Sequence, residues 1–222
     1  MKIQAIPEGQ FFTIALSGGS TPRAVFQQLA LKFRNQIDWK KVKFFWGDER
    51  CVAPESDESN YKMAKESLFD YVPIPAGQIF RIRGEENPIS ESYRYAEEVT
   101  KHVYIQDNIP QFDFVMLGLG EDGHTASIFP GKLDLFKTDK LFEVAEHPVS
   151  QQKRISATGS LINHARTVVF LVTGESKSSM ISKIIGQKRD WEKFPASMVN
   201  PGKGELIWLL DEKAGSRIKN LD

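Results

Sequence analysis

The chain has 222 residues, 29 basic and 29 acidic side chains, no formal net charge at pH 7 and a single cysteine. A chain of this length forms one large domain or at most two small ones, and its core is large enough to fold without disulfides, which excludes a disulfide-stapled secreted scaffold. The balanced charge gives no general attraction to nucleic acid or to an anionic membrane, so an anionic partner must be bound by a local site.

Residues 1–10 lack the pattern of a signal peptide, and no apolar run is long enough to span a membrane, so we expect a cytoplasmic protein. Strands are predicted at residues 11–16, 42–46, 112–117, 167–172 and 206–210, with weaker candidates at 79–82, 142–145 and 154–157. Helices are predicted at 22–34, 59–69, 89–103 and 176–186. Several strands are apolar almost throughout, which is typical of strands buried on both faces. This alternation predicts a single α/β domain over residues 1–222, with a mostly parallel, Rossmann-like sheet and helices on both of its faces.

The first motif is the small-residue turn at 17–22 (SGGSTP), between the first strand and the first helix. Two glycines let backbone N–H groups point inwards, Thr21 is a natural N-cap, and Pro22 suits the first helical turn. The positive end of the helix then faces the loop, which favours a bound phosphate. A plain strand-to-helix turn with a good cap is the alternative. No Gly-Lys-Ser/Thr follows, which excludes a nucleoside-triphosphate P-loop.

The second motif, Asp48-Glu49-Arg50, is predicted as a charged turn after the strand at 42–46. Its carboxylates could orient a base or substrate hydroxyls, and Arg50 could stabilise negative charge on a reacting oxygen. Ion pairing at the surface is the alternative. Cys51 beside it is interpreted as a bystander, because nothing nearby marks it as a thiolate.

The third motif is the segment 118–125 (GLGEDGHT), which places Asp122 and His124 on a glycine-rich turn. A neutral histidine can accept a proton from water, so the two residues are a candidate catalytic pair, and a histidine that only caps the turn is the alternative. The glycine spacing also fits a dinucleotide motif, but Pro130 follows too soon for the required helix. Loops after parallel strands meet at one sheet edge, so the three motifs are predicted to converge. No histidine, cysteine or carboxylate spacing predicts a metal site.

These segments together resemble the family of glucosamine-6-phosphate isomerases and 6-phosphogluconolactonases. The resemblance rests on 17–22 (SGGSTP), 46–52 (WGDERCV), 59–61 (SNY), 118–130 (GLGEDGHTASIFP), 172–174 (VTG) with Lys177, 195–196 (PA) and 204–210 (GELIWLL). It implies the α/β sheet of sugar-phosphate isomerases and lactonases, hydrolysis of 6-phosphoglucono-δ-lactone in the oxidative pentose phosphate pathway, and no metal or organic cofactor. Family members usually carry a further strand and helix before SGGSTP, so the N-terminal strand and helix are expected to be missing here.

The resemblance also implies the roles of individual residues. His124 would be the base that activates water against the lactone carbonyl, with orienting and stabilising roles for Asp48, Asp122 and Arg50. Phosphate would be held by the loop residues Gly18, Gly19, Ser20 and Thr21, with Arg154 and Lys177 as cationic partners. Solvated surface charges are the alternative for those two cations.

Two other functions are weighed against lactone hydrolysis. Deaminases of the family typically read DGHIAFNEP, where the glutamate assists ring opening, whereas residues 122–130 read DGHTASIFP and place Phe129 at that position. A non-catalytic sugar-phosphate sensor would keep the phosphate loop and lose Asp122 and His124. The sequence therefore predicts a lactonase whose partner is a small sugar-phosphate lactone, without nucleic acid or membrane, as a monomer or weak homodimer.

Overall fold

The computed structural model describes residues 6–218. The strands are β1 (Phe12–Leu16), β2 (Val42–Trp46), β3 (Asp48–Arg50), β4 (Ile105–Gln106), β5 (Ile109–Pro110), β6 (Phe114–Leu117), β7 (Phe142–Glu146), β8 (Lys153–Ala157), β9 (Thr167–Val172) and β10 (Glu205–Leu210). The helices are α1 (Ser20–Lys32), α2 (Asn60–Ser67), α3 (Pro88–His102), α4 (Gly159–Ile162), α5 (Ser178–Ile185) and α6 (Glu212–Gly215). Within this range no helix is both long and apolar enough to cross a membrane.

Five parallel strands form the main sheet, in the order β10-β9-β6-β1-β2. From β1 the chain moves outwards to β2 on one side, and later through β6, β9 and β10 on the other. The strand order therefore reverses between β1 and β6. In open parallel sheets ligands bind beside such a reversal, at the carboxyl ends of the strands. The loops that leave β1 and β6 there are the first and third predicted motifs.

The predicted α/β class is confirmed, and the main-sheet strands and the four predicted helices lie within two residues of their expected bounds. The largest strand difference is at β6, which begins at Phe114 rather than at residue 112. The carboxylate of Asp113 accepts hydrogen bonds from both the backbone N–H and the hydroxyl of Thr13, at 2.9 Å each. This side chain takes the place of a backbone acceptor, so the strand begins two residues later than predicted.

The weaker strand candidates fare differently. Residues 79–82 form no strand but a single bridge between Ile79 and Phe44. Further pairing is prevented because the carbonyl of Phe80 accepts the hydroxyl of Tyr95 at 3.0 Å instead of a backbone N–H. The candidates at 142–145 and 154–157 are strands β7 and β8, but they lie outside the parallel sheet.

A second, antiparallel sheet has the order β3-β8-β7. Its first strand is the Asp48–Arg50 segment, so the predicted turn is wrong: the chain passes from β2 straight into β3. Gly47 joins the two sheets, since its N–H donates to the carbonyl of Leu16 at 2.8 Å and its carbonyl accepts from the N–H of Ala157 at 2.6 Å. Tyr95 of α3 fixes the same corner, because its buried hydroxyl accepts the N–H of Trp46 at 2.8 Å.

Candidate active site

The candidate site is a cavity of about 220 Å³ at the carboxyl ends of β1 and β6. Residues of β3 and β8 line its other side, so both sheets contribute to it. Most predicted site residues line it, namely Gly18, Gly19, Asp48, Arg50, His124, Arg154 and Lys177. Ser20 and Thr21 line an adjoining cavity of about 170 Å³, which shares Gly18, Gly19 and Lys177 with the first.

A larger cleft of about 710 Å³ lies beside α5 and is lined mainly by lysine, arginine and serine side chains. The described residues around it include no histidine and no buried carboxylate. Volume therefore does not identify the site, and the convergence of the three predicted motifs does.

Asp122 contacts the imidazole of His124. The Oδ1 atom of Asp122 lies 2.6 Å from Nδ1 of His124 and accepts the backbone N–H of His124 at 3.1 Å. A carboxylate can only accept, so in the neutral imidazole this contact places the proton on Nδ1 and leaves a lone pair on Nε2. Asp122 itself does not line the cavity. Its position is that of a residue that acts through the imidazole.

The backbone of the loop is shaped around this pair. A Cβ atom on Gly120 would stand 2.1 Å from Nδ1 of His124 and 2.4 Å from Oδ1 of Asp122, so no larger residue fits without displacing the pair. Gly123 adopts a positive φ of 83°, which favours glycine. The glycines of the third motif therefore allow a tight turn under the imidazole, rather than an approach to a dinucleotide.

Phe129 supports the imidazole from the side. Its ring is 2% exposed, and its centroid lies 4.9 Å from that of His124 and 5.1 Å from that of His147. The guanidinium of Arg154 lies 5.7 Å from the same ring. At this position the site presents an apolar wall to the base and no second acid.

Asp48 is 5% exposed, and its Oδ2 atom accepts the hydroxyl of Ser127 at 2.6 Å. The two residues are 79 positions apart, so no local sequence pattern could predict the contact. Asp48 also lies close enough to Arg154 for its charge to favour the protonated guanidinium. A buried carboxylate beside two arginines reduces their mutual repulsion, so Asp48 fits an orienting and charge-balancing role.

Arg50 and Arg154 are directly opposite each other on β3 and β8. The Nε atom of each is buried and has no hydrogen-bond partner within residues 6–218. Burial lowers the pKa of Arg154 from its usual value, and the charge of Arg50 acts in the same direction. Unpaired buried donors are costly, and two guanidinium groups side by side repel. An anionic group in the cavity would satisfy both.

The phosphate loop differs from the prediction in one respect. Helix α1 starts at Ser20 with Gly19 as its N-cap, so Thr21 lies inside the first turn and caps nothing. Gly19 has a φ of 106°, which permits this early start. The hydroxyl of Thr21 instead lies 2.7 Å from that of Thr173, at the end of β9. No side chain caps the first N–H groups of α1, which leaves them as donors for an anion.

Two other sequence interpretations concern Lys177 and Cys51. Lys177 lines both cavities, with its side chain 23% exposed and its Nζ atom 3.8 Å from the carboxylate of Glu121, so a cation does face the phosphate loop. Burial, followed by the charge of Glu49, raises the pKa of Cys51 to about 11. Its thiol therefore stays protonated at neutral pH, in keeping with a bystander. The part of the chain in the structure holds no cluster of histidine, cysteine and carboxylate side chains suited to a metal.

Two residues of the site were not predicted. Asn60 lines the cavity and Ser127 bonds Asp48, yet each is buried and polar in a segment without catalytic character. Asn60 belongs to the SNY segment that contributes to the family resemblance, and this was the one signal that could have identified it. Ser127 had no comparable signal, because its role depends on a contact between distant segments.

Comparison with known proteins places this geometry in a family. A profile described as glucosamine-6-phosphate isomerases/6-phosphogluconolactonase matches residues 2–208. The chain is 44% identical to the 6-phosphogluconolactonase of Treponema pallidum over 77% of this chain and 71% of the relative. It is 43% identical to that of Haemophilus influenzae over 90% of this chain and 85% of the relative. A crystal structure of a devB protein superposes with a TM-score of 0.91 at 40% identity, covering 96% of this chain and 89% of the other.

Proposed function

Because the chain belongs to the family of glucosamine-6-phosphate isomerases and 6-phosphogluconolactonases, we propose that it hydrolyses 6-phosphogluconolactone to 6-phosphogluconate in the pentose phosphate pathway. The choice of lactonase over deaminase within the family rests on the loop at residues 118–125, which contains the proposed base His124. It holds one histidine oriented by one carboxylate, while Phe129 occupies the place of a second acid. Hydrolysis of a lactone needs one base, donors for the oxyanion and a hold on the phosphate, and the cavity offers these.

The reaction proceeds at His124. With its Nδ1 proton held by Asp122, the imidazole accepts a proton from water through Nε2 as the water oxygen attacks the lactone carbonyl carbon. The resulting oxyanion is stabilised by Arg50, whose Nε lacks any other acceptor within the described chain. The ring C–O bond then breaks, and the imidazolium returns the proton to the departing ring oxygen. The product acid ionises, so each turnover consumes one water and releases one proton.

The phosphate is held away from the reacting carbon. The N–H groups at the start of α1 and in the loop of Gly18 and Gly19 donate to its oxygens, with Ser20 and Thr21 alongside. Lys177, which lines both cavities, supplies one positive charge, and Arg154 of β8 supplies a second. A local charge is required because the whole protein has no net positive charge.

The direct test is acid release from freshly generated 6-phosphogluconolactone, followed with a pH indicator. The lactone hydrolyses spontaneously, so the initial rate must exceed that of a protein-free sample and scale with protein concentration. A rate that matches the spontaneous background at every protein concentration would contradict the proposed activity.

The phosphate grip makes a separate prediction. If binding energy at the phosphate positions the lactone, unphosphorylated gluconolactone should have a kcat/KM lower by at least about 100-fold. The measurement compares the two lactones in the same assay. Comparable kcat/KM values would show that the SGGST loop and Lys177 do not hold the substrate.

The sister activity gives a further prediction. Because Phe129 presents no carboxylate to the base, glucosamine 6-phosphate should release no ammonia beyond the protein-free control. A coupled ammonia assay with purified protein measures this. Steady ammonia production would favour the deaminase instead.

We also propose a domain organisation, a compartment and an oligomeric state for the protein. The chain acts as a single domain on a small sugar-phosphate lactone, in the cytoplasm, as a monomer or weak homodimer. Its partners include neither nucleic acid nor a membrane. The balanced charge supports the exclusion of nucleic acid.

A further inference from the structure

A buried carboxylate that the reaction does not use lies next to the site. Glu49 is 3% exposed, and its side chain makes no ion pair within residues 6–218. It accepts the backbone N–H groups of Arg50, Asn60 and Tyr61, each at 2.8 Å, and the hydroxyl of Ser59 at 3.1 Å. Burial raises the pKa of Glu49 above its usual value, and the backbone hydrogen bonds offset only part of this increase. Through these bonds Glu49 fixes the start of α2 to strand β3.

The first residue of α2 connects this anchor to the site. Asn60 is 1% exposed, and its Nδ2 donates to the carbonyl of Asp48 at 2.9 Å. Its Oδ1 accepts Nη1 of Arg50 at 2.8 Å. On the other side it touches the phosphate loop so closely that a Cβ on Gly18 would lie 1.8 Å from Oδ1. Asn60 therefore stands between the phosphate loop and Arg50.

The guanidinium of Arg50 is held from one side only. Its Nη1 donates to Oδ1 of Asn60 and, at 2.6 Å, to the carbonyl of Glu58, while its Nε has no acceptor in the described chain. Arg154 lies on the neighbouring strand, and its charge repels that of Arg50. A long side chain with a like charge beside it would turn towards solvent unless acceptors held it.

We propose that Asn60 is a positioning residue that sets the direction of the Arg50 guanidinium over the cavity, and that Glu49 keeps Asn60 in place. The amide oxygen of Asn60 accepts a hydrogen bond from Nη1 of Arg50, which leaves the Nε edge of the guanidinium for the substrate. The inference rests on the proposed function, because it assigns Arg50 the reacting oxyanion. A displacement of a catalytic donor by about 1 Å can cost about 100-fold in rate.

A double-mutant cycle tests the inference, using kcat for 6-phosphogluconolactone and the Kd for 6-phosphogluconate. Asn60→Ala should lower kcat by about 10–100-fold in the wild-type background, with KM changed less than about threefold. In the Arg50→Ala background it should lower kcat by less than about twofold, because no guanidinium remains to be positioned. Glu49→Gln should show a smaller effect that also disappears in that background.

The matched control is Asn163→Ala. Asn163 also uses both ends of its amide, donating to Met198 at 3.0 Å and accepting from Asn200 at 2.8 Å, but it lies outside the cavity lining. Its kcat should be unchanged, and thermal unfolding of all variants separates loss of structure from loss of position.

Equal fold-losses from Asn60→Ala with and without Arg50 would overturn the inference, as would a change confined to KM. If Asn60→Ala does not fold, Glu49→Gln in both backgrounds decides the question in the same way. An inactive wild type would refute the proposed function. The Kd cycle would still test the positioning of Arg50, and additive losses of affinity for 6-phosphogluconate would count against it.

Discussion

Replacing His124 by asparagine is expected to lower kcat for 6-phosphogluconolactone by about 10²–10⁴-fold. Asparagine keeps the approximate size and a hydrogen-bonding group, but it cannot take up the proton of the attacking water. KM should change little, because in the proposed mechanism the phosphate is held by the loop before α1 and not by the imidazole. Turnover by the variant, corrected for spontaneous hydrolysis, measures the loss.

The dependence of the rate on pH provides a second test of His124 as the base. An imidazole that has already bound a second proton cannot accept one from water, so the wild-type rate should fall on the acidic side, and His124→Asn should lose that limb. His102→Asn is the control, since His102 lies on α3 and pairs with Glu98 at 3.3 Å. Its profile should match the wild type. Near-normal turnover of His124→Asn with an unchanged acidic limb would place the base elsewhere, with Asp48 and Asp122 next to be tested.

Replacing Arg50 by alanine is expected to lower kcat by about 10²–10³-fold, the typical cost of one oxyanion donor. The acidic limb should persist, because the base and its orienting carboxylate remain. The two variants therefore separate proton transfer from charge stabilisation. His124→Asn should abolish the acidic limb of the pH profile, whereas Arg50→Ala should lower the rate at every pH and keep that limb.

The control for Arg50→Ala is Arg81→Ala, which removes a guanidinium that pairs with Glu85 at 2.6 Å, outside the cavity lining. It should leave kcat unchanged. If Arg50→Ala raises KM and spares kcat, Arg50 binds the ground state of the substrate, and Arg154 becomes the candidate for the oxyanion.

The main sheet could be predicted from sequence because its strands are mostly apolar runs of four to six residues, which is too short for a typical helix. Strand β3 could not be predicted from such a pattern. Its three residues are all charged, and only the contacts of Glu49 with α2 and of Asp48 with Ser127 make their burial tolerable. Charged triplets are usually exposed, so the pattern favoured a turn.

The site shows the same division. Asp122 and His124 are two residues apart on one loop, so their contact could be anticipated from spacing alone. The pairing of Arg50 with Arg154 across a second sheet depends on a register that no local pattern encodes. The start of α1 was predicted two residues late, because the Thr21 side chain was expected to cap the helix, whereas Gly19 adopts the positive φ that lets the helix begin at Ser20.

Gly47 connects the parallel and the antiparallel sheet, and each sheet contributes a different part of the candidate site. In the proposed mechanism, the base and the loop that holds the phosphate come from the parallel sheet, whereas both guanidinium groups come from the antiparallel one. A change in β3 is therefore expected to alter Arg50 and leave the loop at the start of α1, whereas a change in β8 also alters Arg154, the second proposed cation for the phosphate.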